Sequence, residues 1–341
     1  MFEEAIDRLI RGEDLSADET EDAMGFIMSG EASPVQIAAY LTALRAKGET
    51  SEEILGSARA MRDKVIRVDH HQARLFDNCG TGGDGAGTFN ISTTSAFVLA
   101  GCGLALGKHG NRCVSSRCGS ADLLQALGAS IDLAPAEVGK CIDQIGIGFL
   151  FAPLLHPAMK EVAPVRKALG FRTIFNILGP LTNPAFATHQ LIGVFDAKYT
   201  ETMALVARDL GIENILVVFN LEGLDEVTTA GTNRISTVSN GRVETFFVEP
   251  EDYGFERTSV DLLKGGEAEE NAEITRRILS GGSGPGRDTV VLNSALGLVA
   301  AGAAGSIGDG IDLAAACIDA GKALGKLEDF VNFTNGLKHA D

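Results

Sequence analysis

The feature that most limits the fold is an alternation of short apolar runs with helix-like segments, which starts at about Leu75. The apolar runs cover residues 75–76, 104–107, 131–133, 149–151, 191–195 and 215–219. Short strands separated by helices are typical of an α/β sheet whose strands run mostly parallel. The pattern therefore predicts a mostly parallel central sheet covered by helices.

Two different patterns follow the alternating region, a hairpin and then a group of helices. Asn240-Gly241 stands between residues 234–239 and 242–248, and this dipeptide between apolar runs predicts a β-hairpin. The tail then predicts helices over 267–279, 289–301 and 311–324. A further helix is predicted over 158–169. We therefore expect an antiparallel addition to the sheet, followed by a helical layer.

The first 68 residues predict helices only. Ser16 with Glu19, and Thr50 with Glu53, have the spacing of capping boxes at helix starts. Pro34 fits the first position of a third helix. A helical block this short buries little surface alone, so we expect it to pack on the rest of the chain or on a second subunit.

Composition excludes several functional classes. The 46 acidic residues outnumber the 29 basic ones, and the net charge of -17 repels polyanions, so no nucleic-acid partner is expected. The 6 cysteines form no C-x-x-C pair, which predicts neither a zinc site nor a redox motif but reduced thiols in a cytoplasmic protein. The acidic N-terminus does not resemble a signal peptide, and no apolar run is long enough to span a bilayer.

The densest functional signal is the glycine-rich run over residues 80–93, G-T-G-G-D-G-A-G-T-F-N-I-S-T. Glycines let the backbone approach a ligand and turn its N–H groups inward, which suits phosphate. The run ends at a predicted helix start, where free N–H groups attract anions. A tight strand-to-helix turn explains a glycine loop alone equally well. The run contains no Walker motif and does not match the dinucleotide-binding pattern.

A second polar cluster occupies residues 108–120 and contains Lys108, His109, Arg112 and Arg117 with several hydroxyl groups. Such cations and hydroxyls can neutralise and hydrogen-bond phosphate oxygens. The alternative is a solvated loop.

Two further features carry less information alone. Asp225-Glu226 follows an apolar strand and could hold a hard cation, although an isolated acidic pair is usually a surface loop. His156 and Arg166, at the start of and within the predicted helix 158–169, are ordinary on their own. Residue chemistry therefore predicts a magnesium-assisted phosphate or pyrophosphate enzyme whose acceptor stays open.

Taken together and in order, the polar segments resemble those of anthranilate phosphoribosyltransferase. The segments are 80–84, 88–93, 108–112, 115–116, 119–122, 151–153, 156–160, 166 and 172–184. The likeness extends over nearly the whole chain. It implies a small all-helical domain plus a larger α/β domain with a mostly parallel central sheet, of the nucleoside phosphorylase and phosphoribosyltransferase class.

The resemblance also implies an organisation and an activity. Residues 1–68, with or without part of residues 165–190, would form a helical domain that carries the interface of a homodimer. Residues 69–341 would form the catalytic α/β domain that binds phosphoribosyl pyrophosphate. The activity would be transfer of 5-phosphoribosyl from phosphoribosyl pyrophosphate to the amine of anthranilate. Pyrophosphate would be released, two Mg²⁺ ions would bind per subunit, and the step would belong to tryptophan biosynthesis.

The resemblance assigns roles residue by residue. The donor would be held by Gly80, Gly83, Asp84, Thr88, Asn90, Ser92, Thr93, Lys108, Ser116 and Ser120. The Mg²⁺ ions would be held by Ser92, Asp225 and Glu226. Anthranilate would be contacted by Gly80, Asn111 and Arg166, with His109, His156 and Pro180 near its channel. No nucleophile, acid or base is implied. Serine is usual where Cys113 and Cys118 stand, and lysine where Arg117 stands, so roles for those side chains are in doubt.

Two other functions compete with this interpretation. A pyrimidine nucleoside phosphorylase has a similar fold but uses phosphate as its acceptor and needs no Mg²⁺ clamp, which leaves Asp225-Glu226 unexplained. A non-catalytic nucleic-acid-binding relative would need a continuous basic surface, which the net charge of -17 disfavours. A purely structural protein explains polar clusters of this density least well.

Overall fold

The computed structural model, which describes residues 2–112 and 117–338, begins with four helices. Helices α1–α4 span Phe2–Ile10, Ala17–Met28, Pro34–Lys47 and Ser51–Asp63. The capping boxes of Ser16 with Glu19 and of Thr50 with Glu53 are both formed. Pro34 is the first residue of α3. The predicted helix starts are therefore confirmed.

One seven-stranded sheet forms the centre of the larger part. Its strands β1–β7 are Phe76–Asp77, Leu106–Gly110, Ile147–Phe151, His189–Gly193, Asn214–Asn220, Asn233–Ser239 and Arg242–Val248. The spatial order is β3-β2-β1-β4-β5-β6-β7. Strands β1–β5 are parallel, β6 pairs antiparallel with β5, and β7 pairs antiparallel with β6. The predicted mostly parallel sheet is confirmed.

Helices follow most strands and cover the sheet. Helices α5–α11 span Ile91–Gly101, Ser120–Ala126, Pro135–Ile145, Ala152–Leu155, Ala163–Leu169, Phe175–Leu178 and Tyr199–Asp209. Helices α12–α15 span Ala268–Leu279, Pro285–Ala300, Ile307–Asp319 and Lys322–Lys338. Short 3₁₀ turns occupy Pro157–Glu161, Gly179–Thr182, Pro250–Tyr253 and Val260–Leu263. Among the described residues, no helix is both long and apolar enough to cross a bilayer.

The two largest apolar clusters lie on different parts of the sheet. One contains residues of β1–β3 and of one face of β4 and β5, packed against α5, α6 and α12–α15. The other joins α1–α4 to residues 162–181, α11 and the opposite faces of β4 and β5. The N-terminal helices therefore bury their apolar faces on a later segment of the same chain. The predicted domain limit at residue 68 stays a prediction.

The hairpin is confirmed in detail. Asn240 and Gly241 have φ angles of 50° and 74°, which a two-residue turn between right-twisted strands requires. Strands β6 and β7 pair on either side of this turn, from Ser239 opposite Arg242 to Asn233 opposite Val248. The hairpin extends the parallel sheet beyond β5.

The strand predicted over residues 131–133 is wrong. This segment pairs with no strand and connects α6 to α7, although Ile131 and Leu133 are buried. The two residues contribute to the apolar clusters beside the sheet instead of extending it. Three alternating residues cannot distinguish such a buried connection from a strand.

Two predicted helices are interrupted. The helix predicted over 158–169 divides at Val162 into a 3₁₀ turn and α9, because Pro164 lacks the N–H that would continue the ladder. The helix predicted over 311–324 divides between α14 and α15 at Gly321, whose φ is 71°. A residue in this left-handed conformation ends a helix.

Candidate active site

The polar segments meet at the carboxyl edge of the parallel strands. The glycine loop follows β1, Lys108 and His109 lie in β2, and Asp225-Glu226 follow β5. Strand β1 lies between β2 and β4, so the order of the strands reverses direction at β1. A crevice is expected at such a point of reversal. This topology brings together segments that are more than 100 residues apart in the sequence.

The glycine loop is hydrogen-bonded to the end of β4 and the residues that follow it. The N–H of Thr81 donates to the carbonyl oxygen of Gly193 at 2.8 Å, and the Thr81 hydroxyl accepts the N–H of Phe195 at 3.1 Å. Gly82, Gly83, Gly85 and Gly87 all have positive φ angles, between 64° and 80°. Side chains other than glycine rarely adopt this conformation, so the loop depends on its glycines for its shape.

The loop contacts the acidic pair through Asp84. One oxygen of the Asp84 carboxylate accepts the N–H of Ala86 at 3.0 Å, and the other accepts the N–H of Asp225 at 3.4 Å. Gly80 also lies against this segment, since a Cβ there would be 3.2 Å from an Asp225 carboxylate oxygen. The two predicted sites therefore form one continuous site.

Glu226 is held by the start of α5. Its carboxylate accepts the N–H of Ser92 at 3.1 Å and the side-chain amide of Asn293 at 3.0 Å. Burial raises the pKa of Glu226, and Lys108 opposes this effect. Burial also raises the pKa of Asp225, and the neighbouring carboxylates of Asp84 and Glu226 raise it further. Lys108 therefore offsets only part of the negative charge of this pair.

A divalent cation fits this arrangement. It would supply the charge that Asp225 and Glu226 lack, and the buried oxygens Asn78 Oδ1 and Asn293 Oδ1 have no hydrogen-bond partner in the described chain. Within that same part, three His, Cys, Asp or Glu side chains nowhere converge to enclose a metal. Mg²⁺ commonly uses one or two carboxylates with substrate phosphates instead.

Lys108 lies buried next to the same site. Its ammonium donates to the carbonyl oxygen of Asn78 at 3.4 Å, and the Asn78 amide donates to the carbonyl oxygen of Ser92 at 2.7 Å. Asp77 is fully buried beside it, and burial raises the pKa of Asp77 to about 6 while Lys108 opposes the shift. A buried lysine between carboxylates is well placed to accept a polyphosphate.

Three other donor candidates surround the start of α5. Thr88 precedes the helix, and Thr93 is buried in its first turn. The Asn90 amide donates to the carbonyl oxygen of Cys118 at 3.0 Å, and its oxygen accepts the amide of Asn271 at 3.0 Å. Asn90 thus joins the glycine loop to the second polar cluster.

The second cluster is only partly described. The Ser120 hydroxyl accepts the N–H of Asn111 and donates to its carbonyl oxygen, both at 3.2 Å. Ser116, predicted to bind the donor, lies outside the described residues. Of the unusual residues, Cys113 also lies outside them, whereas Arg117 is exposed and Cys118 is buried.

Two buried histidines lie on the acceptor side. His109 Nδ1 is 3.1 Å from the carbonyl oxygen of Gly179, and His109 Nε2 is 3.1 Å from His156 Nε2. Because a carbonyl only accepts, His109 Nδ1 donates to it, and His156 Nε2 donates to His109 Nε2. Burial lowers the pKa of His109 to about 3 and that of His156 to about 4, so both rings are neutral at pH 7.

Arg166 and Pro180 complete the predicted acceptor residues. The Arg166 guanidinium in α9 lies over the Phe175 ring, 5.5 Å from its centroid. Burial lowers its pKa, but an arginine stays charged. Pro180 is buried, and its carbonyl oxygen accepts the Gln190 amide at 2.8 Å.

Sequence reasoning missed several residues that shape the site. Asp77 accepts the N–H of His109 at 3.2 Å and the Asn183 amide at 2.8 Å, which fixes the end of β2. Asn293 holds Glu226 from a distant helix. Asp77 had a usable signal, since it is a carboxylate at the end of an apolar strand. Asn293 had none, because its helix lies far along the chain.

Comparison with known proteins gives the same picture over the whole length. The description "Glycosyl transferase family, helical bundle domain" matches residues 3–65, and "Glycosyl transferase family, a/b domain" matches residues 72–324. Anthranilate phosphoribosyltransferase of Acetivibrio thermocellus is 52% identical over 337 residues, which are 99% of this chain and 98% of the relative.

Two solved structures are also similar. Anthranilate phosphoribosyltransferase from Thermus thermophilus matches with a TM-score of 0.92 and 45% identity, over 97% of this chain and 99% of that one. The enzyme from Saccharomyces cerevisiae, in complex with PRPP and Mg, matches with a TM-score of 0.90 and 28% identity, over 98% of each chain.

Proposed function

The chain belongs to the anthranilate phosphoribosyltransferase family, and we infer from this that it is a pentosyltransferase of tryptophan biosynthesis. It transfers the 5-phosphoribosyl group from phosphoribosyl pyrophosphate to the amine of anthranilate and releases pyrophosphate. The observation that carries this function is the hydrogen-bonded continuity of the glycine loop, Ser92 and the Asp225-Glu226 pair. An anion cradle and a cation site share one crevice.

Magnesium is the metal of this reaction, as the Mg-bound yeast relative indicates. We propose that Asp225, Glu226 and Ser92 hold two ions per subunit together with the donor. Bound Mg²⁺ would neutralise charge on the pyrophosphate as it leaves. The chain's own contribution is to present two carboxylates whose burial disfavours their charged form until a cation arrives.

On the donor side, the chain stabilises the departing pyrophosphate. The bond from ribose C1 to the pyrophosphate oxygen breaks with oxocarbenium character in the sugar. Lys108 and the N–H groups of the glycine loop offset the negative charge that grows on the leaving group. These groups are fixed before reaction by the contacts of Thr81 and Asn78 described above. Positioning and electrostatics therefore supply most of the rate.

On the acceptor side, we propose that Arg166 pairs with the carboxylate of anthranilate. His109 and His156 are neutral, so they offer no charge for that purpose and instead line the channel with Asn111 and Pro180. The amine then attacks C1 on the face opposite to the pyrophosphate and inverts this carbon, and the new N–C bond is completed when the nitrogen loses one proton to water. An aromatic amine is unprotonated at pH 7, and we assign no general base.

The function is tested by following anthranilate fluorescence with the purified protein. Fluorescence should fall only when phosphoribosyl pyrophosphate and Mg²⁺ are both present, and EDTA should stop the reaction. Parallel incubation of a pyrimidine nucleoside with inorganic phosphate should release no base. Phosphorolysis without Mg²⁺, with stable anthranilate fluorescence, would instead establish the nucleoside phosphorylase.

We further propose that the protein is a homodimer joined through its N-terminal helices. An open groove of about 720 Å³ lies between α1 and α3 and is lined mainly by small apolar residues of α3, including Ala39 and Ala46. Ile10 at the end of α1 also lines it and is 71% exposed. An apolar face of this kind is typical of subunit interfaces.

Ile10→Glu should convert the dimer into a monomer, because a desolvated carboxylate opposes association. Light scattering after size exclusion should show twice the chain mass for the wild type and the single chain mass for the variant. Leu262→Glu is the matched control, since Leu262 is a 63% exposed aliphatic residue outside the groove. A dimeric Ile10→Glu protein, or a monomeric wild type, would refute this interface.

The other partners follow from the chemistry. We propose small-molecule substrates only, without nucleic acid or membrane. We also propose a cytoplasmic location, because the described cysteines are free thiols and thus fit a reducing compartment.

A further inference from the structure

Arg172 contacts two other segments of the site, the glycine loop and the residues that follow β4. It follows α9, and its exposed side chain crosses to the loop, where the guanidinium donates to the carbonyl oxygen of Gly83. The same guanidinium lies over the Phe195 ring, 4.3 Å from its centroid. Stacking of this kind fixes the plane of an arginine and therefore the direction of its N–H groups.

Phe195 is itself fixed relative to the loop. Its N–H donates to the Thr81 hydroxyl at 3.1 Å, and its ring packs edge-on against Tyr199 with centroids 5.4 Å apart. The Phe195 ring, on which Arg172 stacks, thus has a fixed position relative to the first residues of the glycine loop. Arg172 can therefore act on the middle of that loop from a defined position.

The contact with Gly83 determines the direction of one peptide group. In a trans peptide the C=O of one residue and the N–H of the next point in opposite directions, and no described peptide is cis. Holding the Gly83 carbonyl toward Arg172 therefore directs the Asp84 N–H away from it. Gly82 and Gly83 have φ angles of 64° and 80°, and glycine backbones reorient easily. Without Arg172, this peptide could present its carbonyl to the anion.

We propose that Arg172 is a positioning residue, which selects the orientation of the Gly83–Asp84 peptide that binds the donor's phosphate. This inference rests on the proposed function, because it assumes that the loop binds phosphoribosyl pyrophosphate. Arg166 lies six residues earlier, within α9, so the helix and the residues that follow it would serve acceptor and donor through different side chains.

The test compares steady-state constants for both substrates. Arg172→Ala should raise the KM for phosphoribosyl pyrophosphate roughly 10- to 100-fold, the loss expected for one charge-assisted hydrogen bond. Its KM for anthranilate should change less than about twofold. Arg166→Ala should show the reverse pattern. Arg67→Ala is the matched control, because Arg67 is exposed and stacks on Phe186 at 4.8 Å, and it should behave as wild type.

Two variants separate positioning from simple charge. Arg172→Lys keeps the charge but not the planar stack, so it should retain most of the defect. In a Phe195→Leu background, Arg172→Ala should cost clearly less than in the wild type, because the two residues act together.

An unchanged KM for the donor in Arg172→Ala would overturn the proposal, and so would full activity of Arg172→Lys. If the wild type is inactive with both substrates and Mg²⁺, the proposed function fails instead. If wild type and Arg67→Ala are active and Arg172→Ala equals them, only the role of Arg172 fails.

Discussion

Replacing Glu226 with glutamine, or Asp225 with asparagine, should lower kcat/KM roughly 10²–10³-fold, as for loss of one preorganised charge-stabilising group. Both changes preserve side-chain size and remove the negative charge that a divalent cation requires. The hydrogen bonds from Ser92 and Asn293 to Glu226 show that this carboxylate is held in place before any ligand binds. A neutral amide in the same place cannot replace that charge.

Asp225→Asn should not weaken the metal-free fold. Burial and neighbouring carboxylates raise the pKa of Asp225, so its charged form is unfavourable in the folded protein. Asp225→Asn should therefore unfold at the wild-type temperature or above it when EDTA is present. Loss of activity without loss of stability distinguishes a metal site from a structural one.

The measurement combines kinetics with thermal unfolding. Mg²⁺ with phosphoribosyl pyrophosphate should raise the wild-type Tm, since a ligand that binds only the native state stabilises it. This increase should shrink in the variants. Glu222→Gln is the control, because Glu222 is an exposed carboxylate in the same loop. Near-wild-type kcat/KM in both single variants would remove Asp225 and Glu226 from the metal site.

Local sequence signals predicted the elements that depend on neighbouring residues. The hairpin at Asn240-Gly241 and the helix starts at Ser16 and Thr50 were predicted correctly, because their turn and cap chemistry lies within a few residues. The location of the polar loops at strand ends was also predictable, since parallel strands share one carboxyl edge. The sequence thus predicts the meeting of the glycine loop, Lys108 and the acidic pair.

What the sequence did not predict depends on partners that are distant along the chain. The segment at residues 131–133 has strand-like alternation, but in the folded chain it pairs with no strand and is buried between α6 and α7. Asn293 and Arg172 are a helix residue and a surface arginine until folding brings them to Glu226 and Gly83. Pair contacts over 67 and 89 residues leave no local pattern.

Gly193→Ala should be among the most damaging single-methyl changes in the site. A Cβ at residue 193 would lie 1.6 Å from the carbonyl oxygen of Asp225 and 2.6 Å from its carbonyl carbon. Both obstructing atoms are backbone, so no side-chain rotation relieves the overlap. The Asp225 segment must move by more than about 1 Å, a displacement that can cost about 10²-fold in rate.

Gly80→Ala gives a graded comparison with this change. A Cβ at residue 80 would lie 3.2 Å from an Asp225 carboxylate oxygen and 3.2 Å from the Gly193 carbonyl oxygen. A shift of a few tenths of an ångström relieves such contacts, so its loss of kcat should be clearly smaller. Neither Gly80 nor Gly193 has a positive φ angle, so the difference between the two alanine variants is steric and not conformational.

Kinetics and circular dichroism of Gly193→Ala, Gly80→Ala and Gly25→Ala measure the effect. Gly25 lies inside α2 with no atom near its Cβ position, so alanine there should raise helix stability by about 1 kcal/mol or less and leave kcat unchanged. If Gly193→Ala is insoluble, the smaller defect of Gly80→Ala still reports on the contact. Wild-type kcat and Tm in Gly193→Ala would contradict the packing of Asp225 on β4, because that packing leaves no space for a methyl group.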